Sequence, residues 1–203
     1  MADLGDELGR LGAVLAAAQA PVAAHWRPGL ERAEIVSRLE ADGVNPHPDL
    51  LVWYGWHDGT DTPSATDPAG WLLTSPENHL CLSLHVPTLA QASTQRAFDV
   101  SFNPEWKKHV GIEAYRPSWH PVLISSDGWH VCLDSDGSAG RPGTLFVFDP
   151  QAGDDPADPE RFFPDLTELV ATVADAYESG TVPPVDTWVE PEDLPPDVRR
   201  LVR

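Results

Sequence analysis

The chain has 203 residues, 41% of them apolar, with eight tryptophans, enough to build one sizeable core. Thirteen Lys and Arg stand against thirty-two Asp and Glu, a net charge of −19 at pH 7. So negative a surface repels phosphates, which argues against DNA, RNA and anionic lipid as direct ligands and favours a basic partner. No apolar run approaches the eighteen or so residues that a membrane helix needs. Asp3, Asp6 and Glu7 precede the first apolar run, the wrong sign for a signal peptide. Cys81 and Cys132 belong to no CxxC, so neither a zinc knuckle nor a disulfide scaffold is expected. The expectation is a cytoplasmic protein with reduced thiols.

Leu4, Leu8, Leu11 and Leu15 recur at spacings of four, three and four. That stripe predicts a helix over 3–20, ended before Pro21. A second helix is expected to begin near Pro28, bury Leu30, Ile35, Val36 and Leu39, and stop at Gly43. Pro48, Asp49 and the run Leu50–Tyr54 predict a short helix closed by Gly55. Asp58-Gly59-Thr60-Asp61 is expected to be a turn, and 60–69 a polar loop. Trp71–Thr74 and Leu80–Leu84 suit short strands, and Pro87–Phe98 a helix broken near Asn103–Pro104.

Three later runs are rich in strand formers: Pro121–Ser125, Trp129–Leu133 and Thr144–Phe148. Trp129, Val131 and Leu133 alternate with His130, Cys132 and Asp134, the pattern of a half-buried strand. Ser126-Asp127-Gly128 is a tight turn that makes the first two runs a hairpin. Leu166, Leu169, Val170, Val173 and Tyr177 form a core-facing stripe on a helix over 165–179. Asp165 and Glu168 mark its start and Gly180 its stop. Helices, then meandering strands, then a helix predict an α+β fold with a single antiparallel sheet packed by helices.

Charge is unevenly placed. Asp149–Asp197 holds fourteen acids and one base, Arg161, which leaves only −6 for the rest of the chain. Asp154, Asp155, Asp158 and Glu160 are its densest cluster, among Pro150, Pro156 and Pro159. One expectation is a solvated loop; the other is a surface that attracts a basic partner.

The order of these segments resembles a known family. Pro48-Asp49-Leu50-Leu51-Val52-Trp53-Tyr54-Gly55-Trp56-His57-Asp58-Gly59 resembles the "proline, short helix, aromatic, His/Asn-Asp-Gly" signature of the SUKH superfamily. Trp119–Ile124 with Gly128–Asp134 resembles its central hairpin, and Gly143–Asp149 its next strand. Phe162–Gly180 resembles its closing helix. The likeness covers about 28–182, so 1–203 is expected to be one SUKH-like domain with an extra helix over 3–20 and a tail over 183–203. The superfamily includes yeast cell-wall-synthesis regulators and bacterial immunity proteins. What the resemblance implies is one curved antiparallel sheet packed by helices. It also implies a non-catalytic, protein-binding role, often the neutralisation of a toxin domain.

Candidate chemistry is sparse. There is no GxSxG elbow, no GxGxxG and no GxxxxGK[ST]; the only lysines are Lys107 and Lys108. His57, Asp58 and Asp61 cluster on the expected turn but are too few for a dedicated metal site. His79, Cys81 and His85 share one face of a continuous strand, with neighbours about 7 Å apart, too far for a thiolate–imidazole pair. His120 and His130 are placed to pair across the hairpin, and His109 is surface. Trp53, Trp71, Trp119 and Trp129 suit core filling, whereas Trp56 follows Gly55 on a turn beside acids, as interface anchors do.

No catalytic residue, metal or cofactor is therefore expected. The partner is expected to be a protein, a basic toxin domain in the immunity reading, and neither nucleic acid nor membrane. The expected contacts are Asp154, Asp155, Asp158 and Glu160 in the acidic stretch, then Trp56, His57, Asp58 and Asp61 on the turn. The alternatives are a metal-dependent hydrolase using the histidines and a regulatory scaffold without a toxin partner.

Overall fold

The computed structural model describes residues 3–61, 65–66, 72–73, 79–81, 84–111, 115–149, 159–182 and 196–199. The first half contains α1 (Leu4–Ala17), a 3-10 turn (Pro21–Ala24), β1 (Trp26–Pro28), α2 (Arg32–Ala41), α3 (Pro48–Trp56) and β2 (His57–Thr60). The short strands β3 (Ala65–Thr66), β4 (Leu72–Leu73), β5 (His79–Cys81) and β6 (Leu84–His85) follow. Then come α4 (Leu89–Val110), β7 (Trp119–Ser125), β8 (His130–Asp134), β9 (Leu145–Phe148), β10 (Arg161–Phe163), α5 (Leu166–Glu178) and α6 (Pro196–Arg199).

The fold is α+β. Its main sheet is a six-stranded antiparallel meander in the order β10-β9-β8-β7-β6-β5. The three runs anticipated from sequence are neighbours in it, β7 beside β8 beside β9. The expectation of a single sheet is corrected: β1–β2 and β3–β4 form two further two-stranded ribbons. Strands β7, β8 and β9 are buried along their whole length, so both faces of the sheet are covered.

One face carries the larger core. Val131 and Leu133 of β8 and Leu145 and Val147 of β9 pack with Leu166, Leu169, Val170 and Val173 of α5. Leu4, Leu8, Leu11 and Leu15 of α1 belong to the same cluster. The N-terminal helix is thus a core layer rather than an appendage. Across the sheet, Tyr115, Trp119, Cys132, Phe146 and Phe148 form a smaller aromatic cluster. Trp119 stacks on Phe146 at 5.6 Å, and Tyr115 meets Phe148 edge-on at 4.9 Å.

Several boundaries differ from expectation. Pro28 ends strand β1 instead of opening α2, which starts at Arg32. Gly55 does not close α3, which runs on to Trp56. Residues 57–60 are strand β2 rather than a turn, because they pair with β1. Leu80–Leu84 is two strands, β5 and β6, folded against each other. Helix α4 continues through Pro104 to Val110. A tertiary clamp favours that continuation: Asn103 donates to the Tyr115 carbonyl at 2.7 Å and accepts from its N–H at 2.9 Å. Trp71 and the tail 183–195 lie outside the described residues.

The β8–β9 connection is fixed by one buried carboxylate. Asp134, fully buried, accepts from Ser118 Oγ at 2.8 Å and Ala139 N–H at 2.7 Å. It also accepts from Gly137 N–H at 3.2 Å and Ser138 Oγ at 3.3 Å. Asp134→Ala strands these donors and is expected to cost about 3 kcal/mol, read as a lower urea midpoint at unchanged slope. A loss under about 0.5 kcal/mol would show that water replaces the carboxylate.

Candidate partner-binding site

The expected turn after α3 is one strand of the β1–β2 ribbon, in register Trp26 to Thr60 and Pro28 to His57. Two glycines let this ribbon approach its neighbours. A side chain at Gly29 would lie 1.9 Å from the Gly55 carbonyl oxygen, and Leu30 N–H bonds the Tyr54 carbonyl at 2.9 Å. Gly59, at φ +67°, would meet the Thr88 backbone nitrogen at 2.4 Å. The ribbon is thereby held between the end of α3 and the start of α4.

This packing gathers aromatic rings into a file from core to surface. Trp53 is in the core, and Trp56 one turn on has its ring centroid 6.2 Å away. Trp56 lies 5.0 Å from Trp26 and 4.4 Å from His57, tilted to both. Trp26 and His57 stack nearly parallel, 6° apart with centroids at 5.0 Å. All three outer rings are half-buried, and Val52, one turn before Trp56 on α3, is 38% exposed. Trp56 reaches back towards α1, where a side chain at Gly12 would touch its Cζ2 at 3.7 Å.

Charge borders the file. Arg27 Nη1 donates to Asp61 Oδ1 at 2.8 Å, and both side chains are largely exposed. The Arg27 carbonyl accepts from His57 Nδ1 at 2.8 Å, which places the ring proton on Nδ1. Burial lowers the His57 pKa below 6.5, partly offset by that bond, so the ring is neutral at pH 7.

The expected site residues separate into three groups. Trp56, His57 and Asp61 are brought together at the surface. Asp58 is not part of that surface: it is buried, accepts the Leu89 N–H at 2.8 Å at the start of α4, and lies 3.6 Å from Arg27 Nε. Its role is to join the ribbon to α4, which corrects the expectation that it contacts a partner. Glu160 is exposed but belongs elsewhere, in a groove of about 610 Å³ lined by Arg116, Ser138, Ala139, Phe146, Pro159 and Arg161. Asp154, Asp155 and Asp158 lie outside the described residues.

Trp26 and Arg27 were missed in the sequence. Their segment precedes Pro28, and no alternation or turn signal marks it as strand.

The histidines are rearranged too. His79 and His85 face each other across β5 and β6, and Cys81 packs in the core of the α1–α5 face. His120 does not pair with His130. It faces Leu133 across the strands and contacts Tyr54 Oη at 2.9 Å, whereas His130 faces Ile124 and approaches Asp99. Among the described residues no group of three or more His, Cys, Asp or Glu is arranged to hold a metal ion. No helix among them is long and apolar enough to cross a membrane.

Compared with known proteins, the chain matches no family model and no curated sequence.

Proposed function

We propose that the chain is a non-catalytic protein-binding module of the SUKH type that binds and neutralises a basic toxin domain. The observation that carries the reading is the half-buried Trp26–Trp56–His57 file, bordered by Asp61, on a chain of net charge −19. Aromatic anchors supply contact area at low entropic cost, and the surrounding negative field steers a cationic partner towards them. A toxin domain that acts on nucleic acid fits this field, because its own substrate-binding surface is basic. The order of segments, with the meander sheet and the closing α5, is consistent with the resemblance drawn from sequence.

The test is capture of the product of the neighbouring gene, with and without 0.5 M salt. A complex that weakens with salt is expected. Trp56→Ala is expected to raise Kd about 30-fold while the far-ultraviolet circular dichroism stays unchanged. Neutralising Asp154, Asp155, Asp158 and Glu160 is expected to slow association and flatten its salt dependence. No toxin-locus partner, or wild-type affinity in the Trp56 variant, overturns the reading.

A further inference from the structure

Two helical glycines have no reason in the fold. The other glycines described either take a left-handed φ or would set a side chain within 4 Å of a neighbour, as Gly29 would against the Gly55 carbonyl. Gly9 of α1 and Gly55 of α3 do neither. Each has an ordinary φ, and a Cβ built on it meets nothing within 4 Å. Glycine inside a helix weakens it relative to alanine, so an added methyl at either position should strengthen the fold.

Both positions border Trp56. Gly55 is exposed, precedes Trp56 in α3 and follows Val52 by one turn. Gly9 is exposed one turn before Gly12, where a side chain would touch Trp56 Cζ2 at 3.7 Å. Residues three and four apart on a helix are surface neighbours, so Val52, Gly55 and Trp56 form one outward strip of α3. At its centre the backbone is bare, between an exposed valine and a half-buried indole. The strip is apolar and open where a side chain would ordinarily stand.

The charge around the strip has one sign. Arg10 and Arg27 are the only Lys or Arg on α1, α3 and the β1–β2 ribbon, and acids hold both. Arg10 bonds Glu7, Asp175 and Glu178, and Arg27 bonds Asp61. Asp3 and Asp6 at the start of α1 and Asp61 after β2 are exposed. Helix α3 ends at Trp56, so the negative end of its dipole falls beside the strip. A cation gains at this rim and an anion is repelled.

We propose that the Val52–Gly55–Trp56 strip, bordered by Gly9, seats one large apolar side chain flanked by lysine or arginine on the partner protein. This seat rests on the protein-binding reading above and gives that reading its partner segment. The apolar side chain lies on the bare backbone of Gly55 against Trp56, and its basic neighbours meet the acidic rim. The two glycines keep the seat open and leave their helices weaker than alanine would.

The experiment measures the full chain against the captured neighbouring-gene product, with Gly55→Leu, Gly55→Ala and Gly9→Ala beside Trp56→Ala. Gly55→Leu fills the seat with its own side chain and is expected to raise Kd about 30-fold, and each alanine variant about 3-fold. The urea midpoints of the two alanine variants are expected to rise above wild type. A photo-reactive methionine analogue at position 52 is expected to cross-link an apolar residue of the partner next to lysine or arginine. Wild-type affinity in Gly55→Leu, with Trp56→Ala still weakened, overturns the seat and leaves the protein-binding reading intact. Cross-links to an acidic segment overturn the seat as well, and lowered midpoints in both alanine variants do so by giving the glycines a reason in the fold. No captured partner, or wild-type affinity in Trp56→Ala, overturns the seat and the reading together. If Gly55→Leu lowers the midpoint, Gly55→Ala decides, because its methyl meets nothing in the fold.

Discussion

Val173→Asp is expected to unfold the protein at room temperature or to cost at least about 4 kcal/mol. Val173 is fully buried on α5, within the cluster shared by α1, the sheet and α5. Its neighbours there include the four leucines of α1 and Leu169, none of which can bond a carboxylate. An aspartate at 173 must either carry an unpaired charge into this layer or separate α1 from α5. Arg10, at the edge of the α1–α5 contact, already bonds Glu7, Asp175 and Glu178. Glu178→Gln, on the exposed side of the same helix, is expected to leave the urea midpoint nearly unchanged, because an exposed ion pair contributes little. Urea denaturation of the two variants checks both statements. A loss below about 2 kcal/mol for Val173→Asp would mean that the α1–α5 layer is not the folding core.

How far the sequence specified this fold depended on the range of the forces involved. Helices α1 and α5 were legible because a leucine or valine stripe at helical spacing reports burial on one face, and the structure buries Leu4, Leu8, Leu11, Leu15, Leu169 and Val173. Asp165 was legible as a cap, and it accepts from Glu168 N–H at 3.0 Å. The central strands were legible as runs of strand formers joined by the Gly128 turn, but the alternation of Trp129, Val131 and Leu133 with His130, Cys132 and Asp134 misled: β8 is not half-buried but buried throughout, because the sheet is covered on both faces. The missed elements are those that tertiary pairing creates. Strands β1 and β2 contain Pro28 and Gly59, residues that weaken isolated strands, yet each completes the other. Helix α4 hid its length behind Pro104, which lies inside it beside Asn103, the residue clamped to Tyr115. Its capping box, Thr88 with Gln91, was overlooked because no apolar stripe follows it.

The candidate site was half legible for the same reason. Trp56 stood out because it follows Gly55 and precedes a polar cluster. Its stacking partner Trp26 lies thirty positions earlier in the sequence and comes beside it only through the β1–β2 ribbon. Asp58 looked like a surface acid, since a turn Asp bonds its own backbone by default. The structure sends that bond to Leu89 instead, a contact across 31 residues that no local pattern announces.

Acid is expected to destabilise the whole protein steeply, and the groups responsible are His85 and His120. Burial pushes both down to about 3 from an ordinary value near 6.5. The geometry at His120 accounts for its neutrality. Tyr54 Oη donates to the Pro121 carbonyl at 3.2 Å and lies 2.9 Å from His120 Nε2, which therefore supplies the proton between them. Nδ1 of the same ring is buried and has no partner to receive a second proton. Above pH 6.5 both histidines are neutral in folded and unfolded chains alike, and their contribution to stability is fully present. As pH falls from 6.5 towards 3, the unfolded chain binds protons that the folded chain refuses, and stability is lost. Each histidine contributes a slope of about 1.4 kcal/mol per pH unit, so the pair removes about 4–5 kcal/mol between pH 6.5 and 4.5. The half-buried Asp49 carboxyl, raised above its ordinary 3.8, acts in the opposite sense at lower pH. A loss of that size is comparable with the whole stability of a small domain. Urea midpoints measured from pH 7 to 4.5 should fall throughout that range, and His120→Leu should remove about half of the slope. Midpoints that stay level from pH 7 to 5 would mean that both rings find acceptors for a second proton in the folded chain.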